Sequence, residues 1–384
     1  MKVVTIVGAR PQFIKAAPIS KVLREAGHTE FLLHTGQHYD YGMSQVFFEE
    51  LGLPAANVNL DVRSGNHGQQ TGQMLMGIEE VLLKEKPDWV LVFGDTNSTL
   101  AGALAAVKLH IPLAHVEAGL RSYNREMPEE HNRVLTDHCA DLLFCPTKTA
   151  VENLAKEGLT EGVYEVGDPM YDAVLMFSEK AKQCSTILHD LGLKKGGYLL
   201  ATIHRAYNTD DPQTLKAIFS ALTSINELVI FPIHPRTQQK IKELGFLNQK
   251  SKTCAEPGRS IENPKLIDPV SYLDMLILEQ NARMILTDSG GVQKEAYFFS
   301  VPCLTLRSET EWVETVSNGW NLLVGVDPEQ ILAGLKHVFP AKDQSPVLFG
   351  NGRSAHEIVR ILGEDRKPMQ KQDHRIEQAF MDTV

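Results

Sequence analysis

Short apolar runs alternate with amphipathic stretches along almost the whole chain, and this pattern constrains the fold more than any other feature. The runs show no polar alternation, which is typical of strands that are covered on both faces in a parallel sheet. The stretches between them, such as residues 98–109 and 215–224, have the length of crossover helices. The pattern predicts α/β domains built on doubly wound parallel sheets. The predicted strands are 3–7, 30–34, 89–93, 113–116, 142–145, 163–166, 198–203, 228–233, 265–267, 284–287, 303–306 and 322–324.

The length of the chain, 384 residues, exceeds one ordinary core and predicts two domains of roughly 150–200 residues each. Half of the predicted strands precede a long gap between residues 167 and 195, and half follow it. We therefore expect the break between two sheets in that gap. Ligands of doubly wound sheets bind beyond the carboxyl ends of the strands, so functional residues should follow strands.

The charge balance argues against two classes of partner. The chain has 38 basic and 48 acidic residues, a formal charge of −10, and no basic stripe. Nucleic acids and anionic membrane surfaces are bound through clustered lysine and arginine, so neither partner is expected. No apolar run approaches the ~20 residues that span a bilayer. The apolar opening lacks a signal cleavage site and is interpreted as the first strand.

The five cysteines, at positions 139, 145, 184, 254 and 303, are widely spaced and form no CxxC pair. This spacing is typical of reduced thiols rather than of a disulfide framework or a zinc site. No motif brings three metal ligands together, and no nucleophile elbow is present. We therefore expect a cytoplasmic protein with no bound metal.

Two glycine-containing turns after strands could hold an anion. The segment 287–296 places Ser289, Gly290 and Gly291 at the start of a helix, where backbone amides and a hydroxyl can bind a diphosphate. Glu295, about one turn later, could accept hydrogen bonds from a ribose diol. The segment 8–15 adds Arg10 at a second helix start, although a plain turn with a solvated arginine explains it equally well.

Three carboxylates lie near the ends of two neighbouring predicted strands. Asp95 ends one strand, Glu117 ends the next, and Glu129 follows in a short motif. Like charges at one edge of a sheet raise each other's pKa, which suits proton transfer near neutral pH. Helix capping and ion pairs to Arg121 and Arg133 would explain any one of them. Three on one rim favour a catalytic function.

In the second half, His204 and Arg205 also follow a predicted strand. His204 could contact a reacting centre, and Arg205 could bind a phosphate or a carboxylate. His234 has the same placement after the next strand. A lone histidine of this kind is as often structural as functional.

Taken together, these motifs resemble the non-hydrolysing UDP-N-acetylglucosamine 2-epimerase family. The matching segments, in collinear order, are GARPQFIK, TGQH, GDTNST, HVEAGLRS, MPEEHNR, the HR pair at 204–205, and TDSGGVQKEA. The resemblance implies the GT-B architecture, in which two Rossmann-like domains face a central cleft. Residues 1–170, joined by the C-terminal helix 355–384, would hold the sugar and the carboxylates, and residues 171–354 would bind UDP.

The resemblance also implies the reaction and its residues. UDP-GlcNAc would be converted to UDP-ManNAc by anti elimination of UDP to a 2-acetamidoglucal and re-addition, without a cofactor, for polysaccharide precursor synthesis. A homodimer is implied as well. By motif position, the catalytic residues correspond to Asp95, Glu117, Glu129 and His204. The expected substrate contacts are Arg10, Lys15, Arg205, His234, Ser289, Gly290, Gly291 and Glu295, and an activator site would involve Gln37 and His38.

Three positions depart from the common family pattern. Gln12 replaces the glutamate of GTRPE, Tyr207 replaces the glutamate of HRxEN, and Trp312 replaces the arginine of TERPE. These departures resemble the branch that includes epimerases of UDP-2,3-diacetamido-2,3-dideoxyglucuronate, so that sugar is an alternative substrate.

Three other functions share parts of these motifs. A GT-B glycosyltransferase has the same fold and a UDP-sugar donor but needs an acceptor. A hydrolysing epimerase releases free ManNAc and UDP. A catalytically inactive UDP-sugar sensor binds without turnover, which the four intact candidate catalytic residues disfavour.

Overall fold

The computed structural model describes residues 1–37, 48, 50–63, 65–233, 235–245, 252–255, 259–341 and 348–365. The chain divides into two compact units, one formed by Met1–Asp172 with Phe349–Val384 and the other by Ala173–Leu348. The part of the expected C-terminal helix beyond residue 365 lies outside the described residues.

The first unit is built on a seven-stranded parallel sheet in the order β3-β2-β1-β4-β5-β6-β7. Every strand pair in it is parallel, and the central strands are buried along their whole length. Because the order reverses between β1 and β4, the carboxyl ends of β1, β4 and β5 lie at the switch point of the sheet. The strands are β1 Lys2–Val7, β2 Thr29–His34, β3 Val58–Asn59, β4 Trp89–Phe93, β5 Leu113–Val116, β6 Leu142–Cys145 and β7 Val163–Glu165.

Helices follow β1, β3, β4, β5 and β6, and each of these crossovers returns the chain to a parallel strand. The C-terminal helix packs on the first helix, and the carboxylate of Asp172 accepts a 2.8 Å hydrogen bond from the backbone N–H of Ala355 at its start. The helix Pro169–Cys184 runs across the boundary between the two units. The other helices of the first unit are Arg10–Glu25, His67–Glu85, Asn97–Lys108, Pro128–Cys139, Lys148–Lys156 and Ser354–Glu364.

The second unit contains a six-stranded parallel sheet in the order β12-β9-β8-β13-β14-β15, together with the antiparallel hairpin β10-β11. Its order reverses between β8 and β13, so their carboxyl ends form a second switch point. The strands are β8 Leu199–Thr202, β9 Val229–Pro232, β10 Lys252–Ala255, β11 Arg259–Glu262, β12 Lys265–Ile267, β13 Met284–Thr287, β14 Cys303–Thr305 and β15 Asn321–Leu323. The helices are Ile187–Leu191, Ala206–Thr209, Pro212–Ser224, Pro235–Glu243, Tyr272–Asn281, Gly290–Phe298, Val313–Ser317 and Pro328–Gly334.

The fold class expected from the sequence, two Rossmann-like parallel-sheet units of the GT-B type, is confirmed. Every predicted apolar run overlaps a strand, with ends that differ by a residue or two. Three strands were not predicted: β3, which is only two residues long, and the two strands of the hairpin, whose sequences KTCA and RSIE are not apolar runs.

Candidate active site

The turn after β1 is tied to the turn after β4 by the buried side chain of Gln12. Its Oε1 accepts hydrogen bonds from the backbone N–H groups of Gly8 (2.7 Å) and Ala9 (3.0 Å). Its Nε2 donates to the carbonyl oxygen of Phe93 (2.8 Å). A glutamate carboxylate could accept the first two bonds but could not donate the third when ionised. The glutamine at position 12, where the common family pattern has a glutamate, therefore makes a hydrogen bond that holds the two turns together. Arg10 begins the helix and is partly exposed.

Lys15, on the helix that follows β1, forms a buried ion pair with Glu117, which follows β5. The Nζ of Lys15 lies 2.6 Å from Oε1 of Glu117, and both side chains are at most 7% exposed. A Cβ atom placed on Gly94 would lie 3.4 Å from each of these two atoms, so the pair lies against the backbone directly before Asp95. Sheet topology thus brings Lys15, Asp95 and Glu117 to one edge.

Glu117 has a left-handed backbone conformation, with φ of 70°. This region costs a residue with a Cβ atom roughly 1–3 kcal/mol, and such strain concentrates at functional sites. The strained residue is also the one that carries a buried charge, and buried charges need a partner to be tolerated. Strain and a buried ion pair at one carboxylate mark Glu117 as a candidate functional residue.

The carboxylate of Asp95 is bound by the guanidinium of Arg133 from the helix Pro128–Cys139. Asn132, one residue earlier, donates a 2.9 Å hydrogen bond to the backbone carbonyl of Asp95. The side chain of Asp95 is still 27% exposed, so the ion pair leaves it accessible. The helix that carries Glu129 is therefore held directly against Asp95.

The two adjacent glutamates at the start of that helix differ in their surroundings. Glu130 is buried and accepts hydrogen bonds from the backbone N–H groups of Ser122 (3.0 Å) and Tyr123 (2.9 Å), and from Arg133 (2.5 Å). Burial would raise the pKa of Glu130, but these hydrogen bonds and the charge of Arg133 outweigh it and lower the pKa. Glu130 thus holds the preceding loop, whereas Glu129 is half-buried and more accessible to a ligand.

Of the two residues suggested for an activator site, Gln37 is described and His38 lies outside the described residues. The Oε1 of Gln37 accepts a 2.7 Å hydrogen bond from the hydroxyl of Ser98, near the start of the helix that follows β4. Gln37 therefore lies beside the same edge of the sheet as Asp95.

In the second unit, Asp288 joins the ends of β8 and β13. Its buried carboxylate accepts hydrogen bonds from the backbone N–H groups of His204 (3.1 Å) and Arg205 (3.0 Å) and from the side chain of Asn208 (3.0 Å). The Nδ1 of His204 lies 3.5 Å from the same carboxylate, and the imidazole side chain is 50% exposed. Sequence reasoning did not assign Asp288 a function, because its partners lie about eighty residues away. His234 lies outside the described residues.

The helix that begins at Gly290 packs its first turn against the segment after β14. A Cβ atom on Gly290 would lie only 2.5 Å from Oε1 of Glu311 and 3.0 Å from Nε1 of Trp312, so a larger residue would require these side chains or the helix start to shift. Ser289 precedes the helix without capping it through its side chain. The amides at this helix start are a suitable anion site.

Buried charged side chains surround this helix start. Arg307, which follows β14, lies 3.0 Å from Glu311 through its NH1 atom and is 2% exposed. Lys294 places its Nζ 4.0 Å from the centre of the Trp312 ring, a cation–π contact. Trp312, where the common family pattern has an arginine, is thus a neutral residue in a buried cluster that contains two cations, Arg307 and Lys294.

Glu295, expected to bind a ribose, is buried in the second turn of the same helix. Its Oε1 accepts a 3.0 Å hydrogen bond from the hydroxyl of Tyr272, and Tyr272 packs edge-on against Phe177 at 6.0 Å between ring centres. Sequence reasoning missed Tyr272. A tyrosine at the start of a helix carries no signal of its own that it reaches a carboxylate 23 residues away.

Within the described residues, no group of three or more His, Cys, Asp and Glu side chains is arranged to hold a metal ion. In that same part of the chain, no helix is long and apolar enough to cross a membrane.

Comparisons with known proteins identify relatives of the whole chain. A family model described as UDP-N-acetylglucosamine 2-epimerase matches residues 21–363. A UDP-N-acetylglucosamine 2-epimerase homolog of Methanococcus maripaludis is 54% identical, over 94% of this chain and 99% of its own. The UDP-2,3-diacetamido-2,3-dideoxy-D-glucuronate 2-epimerase of Pseudomonas aeruginosa is 48% identical, over 95% of this chain and 100% of its own.

Solved structures agree with the sequence comparisons. The crystal structure of Methanocaldococcus jannaschii UDP-GlcNAc 2-epimerase, in complex with UDP-GlcNAc and UDP, matches with a TM-score of 0.86 and 46% identity. The match covers 95% of this chain and 100% of the other.

Proposed function

The chain belongs to the UDP-N-acetylglucosamine 2-epimerase family, whose members are isomerases, and we propose that it converts UDP-GlcNAc to UDP-ManNAc by inverting C2 of the sugar. The observation that carries the proposal is the buried pair of Lys15 and Glu117 beside Asp95 at the switch point of the first sheet. A strained, buried carboxylate next to a second, accessible carboxylate suits proton removal from carbon and proton return.

The proposed reaction is an elimination followed by an addition. A carboxylate takes the proton from C2, the electron pair of the C2–H bond forms the C1=C2 double bond, and the C1–O bond breaks with its pair leaving on the diphosphate. The products of this step are a 2-acetamidoglucal and UDP. Re-addition of UDP at C1, with a proton delivered to the other face of C2, completes the inversion. No electrons are transferred overall, so the reaction needs no redox cofactor.

We assign the proton transfers to Asp95, Glu117 and Glu129. The ammonium of Lys15 forms an ion pair with Glu117, and the guanidinium of Arg133 forms one with Asp95, so a cation holds each of these two carboxylates. These residues all belong to the first unit, and we assign that unit to the sugar.

We assign UDP to the second unit. The helix start at Gly290 and the cations Arg205 and Arg307 would stabilise the departing diphosphate, with His204 beside it. Glu295 would accept hydrogen bonds from the ribose diol.

Incubation of the protein with UDP-GlcNAc alone in D2O tests this function. The expected result is UDP-ManNAc with deuterium at C2 in both sugars. Inertness until an acceptor is added would indicate a glycosyltransferase, and release of free ManNAc with UDP would indicate a hydrolysing epimerase. Tight UDP binding without exchange at C2 would indicate a sensor.

A second substrate, UDP-2,3-diacetamido-2,3-dideoxyglucuronate, is favoured by the 48% identity to the Pseudomonas aeruginosa enzyme and by the residues at 12, 207 and 312. Its extra acetamido group and carboxylate require contacts that a hydroxyl and a hydroxymethyl group do not. Side-by-side measurement of kcat/KM with the two UDP-sugars decides between them, because specificity is the ratio of the two values.

We further propose that the protein acts as a homodimer in the cytoplasm and supplies precursors for cell-surface polysaccharide. Light scattering of the purified chain should give twice the mass of one chain. Deletion of its gene should deplete a 2-acetamido sugar with inverted C2 from the cell surface.

A further inference from the structure

The carboxylate of Asp137 binds both sides of the strained turn that carries Glu117. Asp137 lies on the helix Pro128–Cys139 and is fully buried. Its Oδ1 accepts a 2.7 Å hydrogen bond from Nδ1 of His115, two residues before Glu117. Its Oδ2 accepts a 3.1 Å bond from the backbone N–H of Gly119, two residues after Glu117. One carboxylate therefore closes the turn from 115 to 119.

A cation completes the binding of Asp137. The NH1 atom of Arg121 donates a 2.7 Å hydrogen bond to its Oδ2, and Arg121 is itself held by Glu157. Burial would raise the pKa of Asp137, but the hydrogen bonds and charges of His115 and Arg121 outweigh it and lower the pKa. Asp137 thus stays ionised at neutral pH and cannot donate a proton to substrate.

His115 extends this connection to the neighbouring turn. Its Nε2 lies 2.7 Å from the carbonyl oxygen of Gly94, which directly precedes Asp95. A carbonyl oxygen only accepts, so Nε2 is the donor. His115 is fully buried and does not contact solvent. The same imidazole therefore contacts the turn of Asp95 and, through Asp137, the turn of Glu117.

We propose that Asp137 and His115 form a positioning pair that fixes the relative placement of the carboxylates Asp95 and Glu117. The inference rests on the proposed function, because only that function assigns proton transfer to the two carboxylates that the pair positions. Glu117 adopts a backbone conformation that its own Cβ disfavours, so an external tie is required to keep it there. Displacement of a reacting group by one ångström can lower a rate about 100-fold. Asp137 and His115 prevent such a displacement of the two carboxylates.

The test compares Asp137→Asn with a matched variant, Asp141→Asn. Asp141 also binds a backbone N–H with its carboxylate, that of Leu113 at 2.8 Å, but at the opposite end of β5. Asp137→Asn should lower kcat about 100-fold while KM and the Kd for UDP change by less than about threefold. Asp141→Asn should leave kcat within about threefold of the unchanged protein.

Hydrogen–deuterium exchange of the amides in residues 115–121, which excludes the Leu113 amide bound by Asp141, gives a second readout that does not depend on turnover. Exchange there should accelerate in Asp137→Asn and stay unchanged in Asp141→Asn. If Asp137→Asn does not fold, His115→Phe, which keeps a ring of similar size and removes both contacts, takes its place in every measurement.

Unaltered kcat in Asp137→Asn, an equal loss in Asp141→Asn, or unaltered exchange across 115–121 in Asp137→Asn would each overturn the positioning pair. Absence of epimerisation by the unchanged protein would overturn the proposed function instead, and the exchange measurement would still decide the structural part.

Discussion

The Nζ atom of Lys15 and the Oε1 atom of Glu117 lie 2.6 Å apart in the interior of the first unit, although 102 residues separate them in the chain. Neither side chain would be stable there alone, because a buried charge without a partner is strongly destabilising. Each charge therefore stabilises the other in the interior. Substitution of either residue changes the surroundings of both.

The variant Glu117→Gln should abolish epimerisation while the Kd for UDP stays within about threefold. The amide keeps the size of the side chain but removes the charge that takes the proton and pairs with Lys15. Turnover followed by NMR and UDP binding by calorimetry check this. Loss of UDP binding with turnover retained would contradict the function assigned to Glu117.

Substitution of Gly290 by alanine should weaken UDP binding at least about fivefold, because overpacking of this kind costs roughly 1–3 kcal/mol. The new methyl group would lie 2.5 Å from Oε1 of Glu311, so either the first turn of the helix or the Glu311 carboxylate, which pairs with Arg307, would be displaced. Gly363→Ala is the matched control, since no atom lies within 4 Å of a Cβ placed there. Equal UDP affinity in the two variants would show that the helix start at Gly290 does not bind the diphosphate.

The positions of Asp95 and Glu117 could be predicted because they depend on strands alone. Both follow apolar runs that any parallel sheet would bury, and the carboxyl ends of neighbouring strands meet at one edge. The residues that hold them could not be predicted in the same way. Gln12 reaches Phe93 and Asp137 reaches His115 across many residues, and such pairing is decided by side-chain packing in the folded chain.

A similar limit applies to the two glutamates at 129 and 130. The motif order alone distinguishes them in the sequence, whereas the structure shows that Glu130 binds the loop at Ser122 and Tyr123. The face of a helix that a residue occupies in its first turn depends on where the helix starts, and helix boundaries are poorly determined by sequence.

Glu130 should also make stability depend on pH. Its pKa is lowered in the folded state, so its ionised form stabilises the fold above the unfolded pKa of about 4.3, and this contribution is lost as the pH falls through the folded pKa. Glu130→Gln should therefore lower the free energy of unfolding at pH 7 by roughly 1–3 kcal/mol, and the difference from the unchanged protein should shrink in acid. Urea unfolding between pH 7 and pH 3 measures it, with the exposed Glu126→Gln as control. A difference that does not vary with pH would contradict the assigned charge.

The hydrogen bond from Tyr272 to Glu295 predicts how the ribose is recognised. The hydroxyl fixes the orientation of the carboxylate to which we assign the ribose diol, so Tyr272→Phe should weaken UDP binding about five- to tenfold. The same variant should bind 2′,3′-dideoxy-UDP as the unchanged protein does, because that ligand lacks the hydroxyls that Glu295 would bind.

Tyr198→Phe is the matched control: Tyr198 is also buried in the second unit, but its hydroxyl donates to the backbone carbonyl of Leu278 at 2.6 Å. Calorimetric titration of all three proteins with both nucleotides completes the comparison. Only Tyr272→Phe should lose affinity, and only for UDP with its intact ribose. If Tyr272→Phe loses affinity equally for both nucleotides, Tyr272 stabilises the second unit and does not contribute to recognition of the ribose.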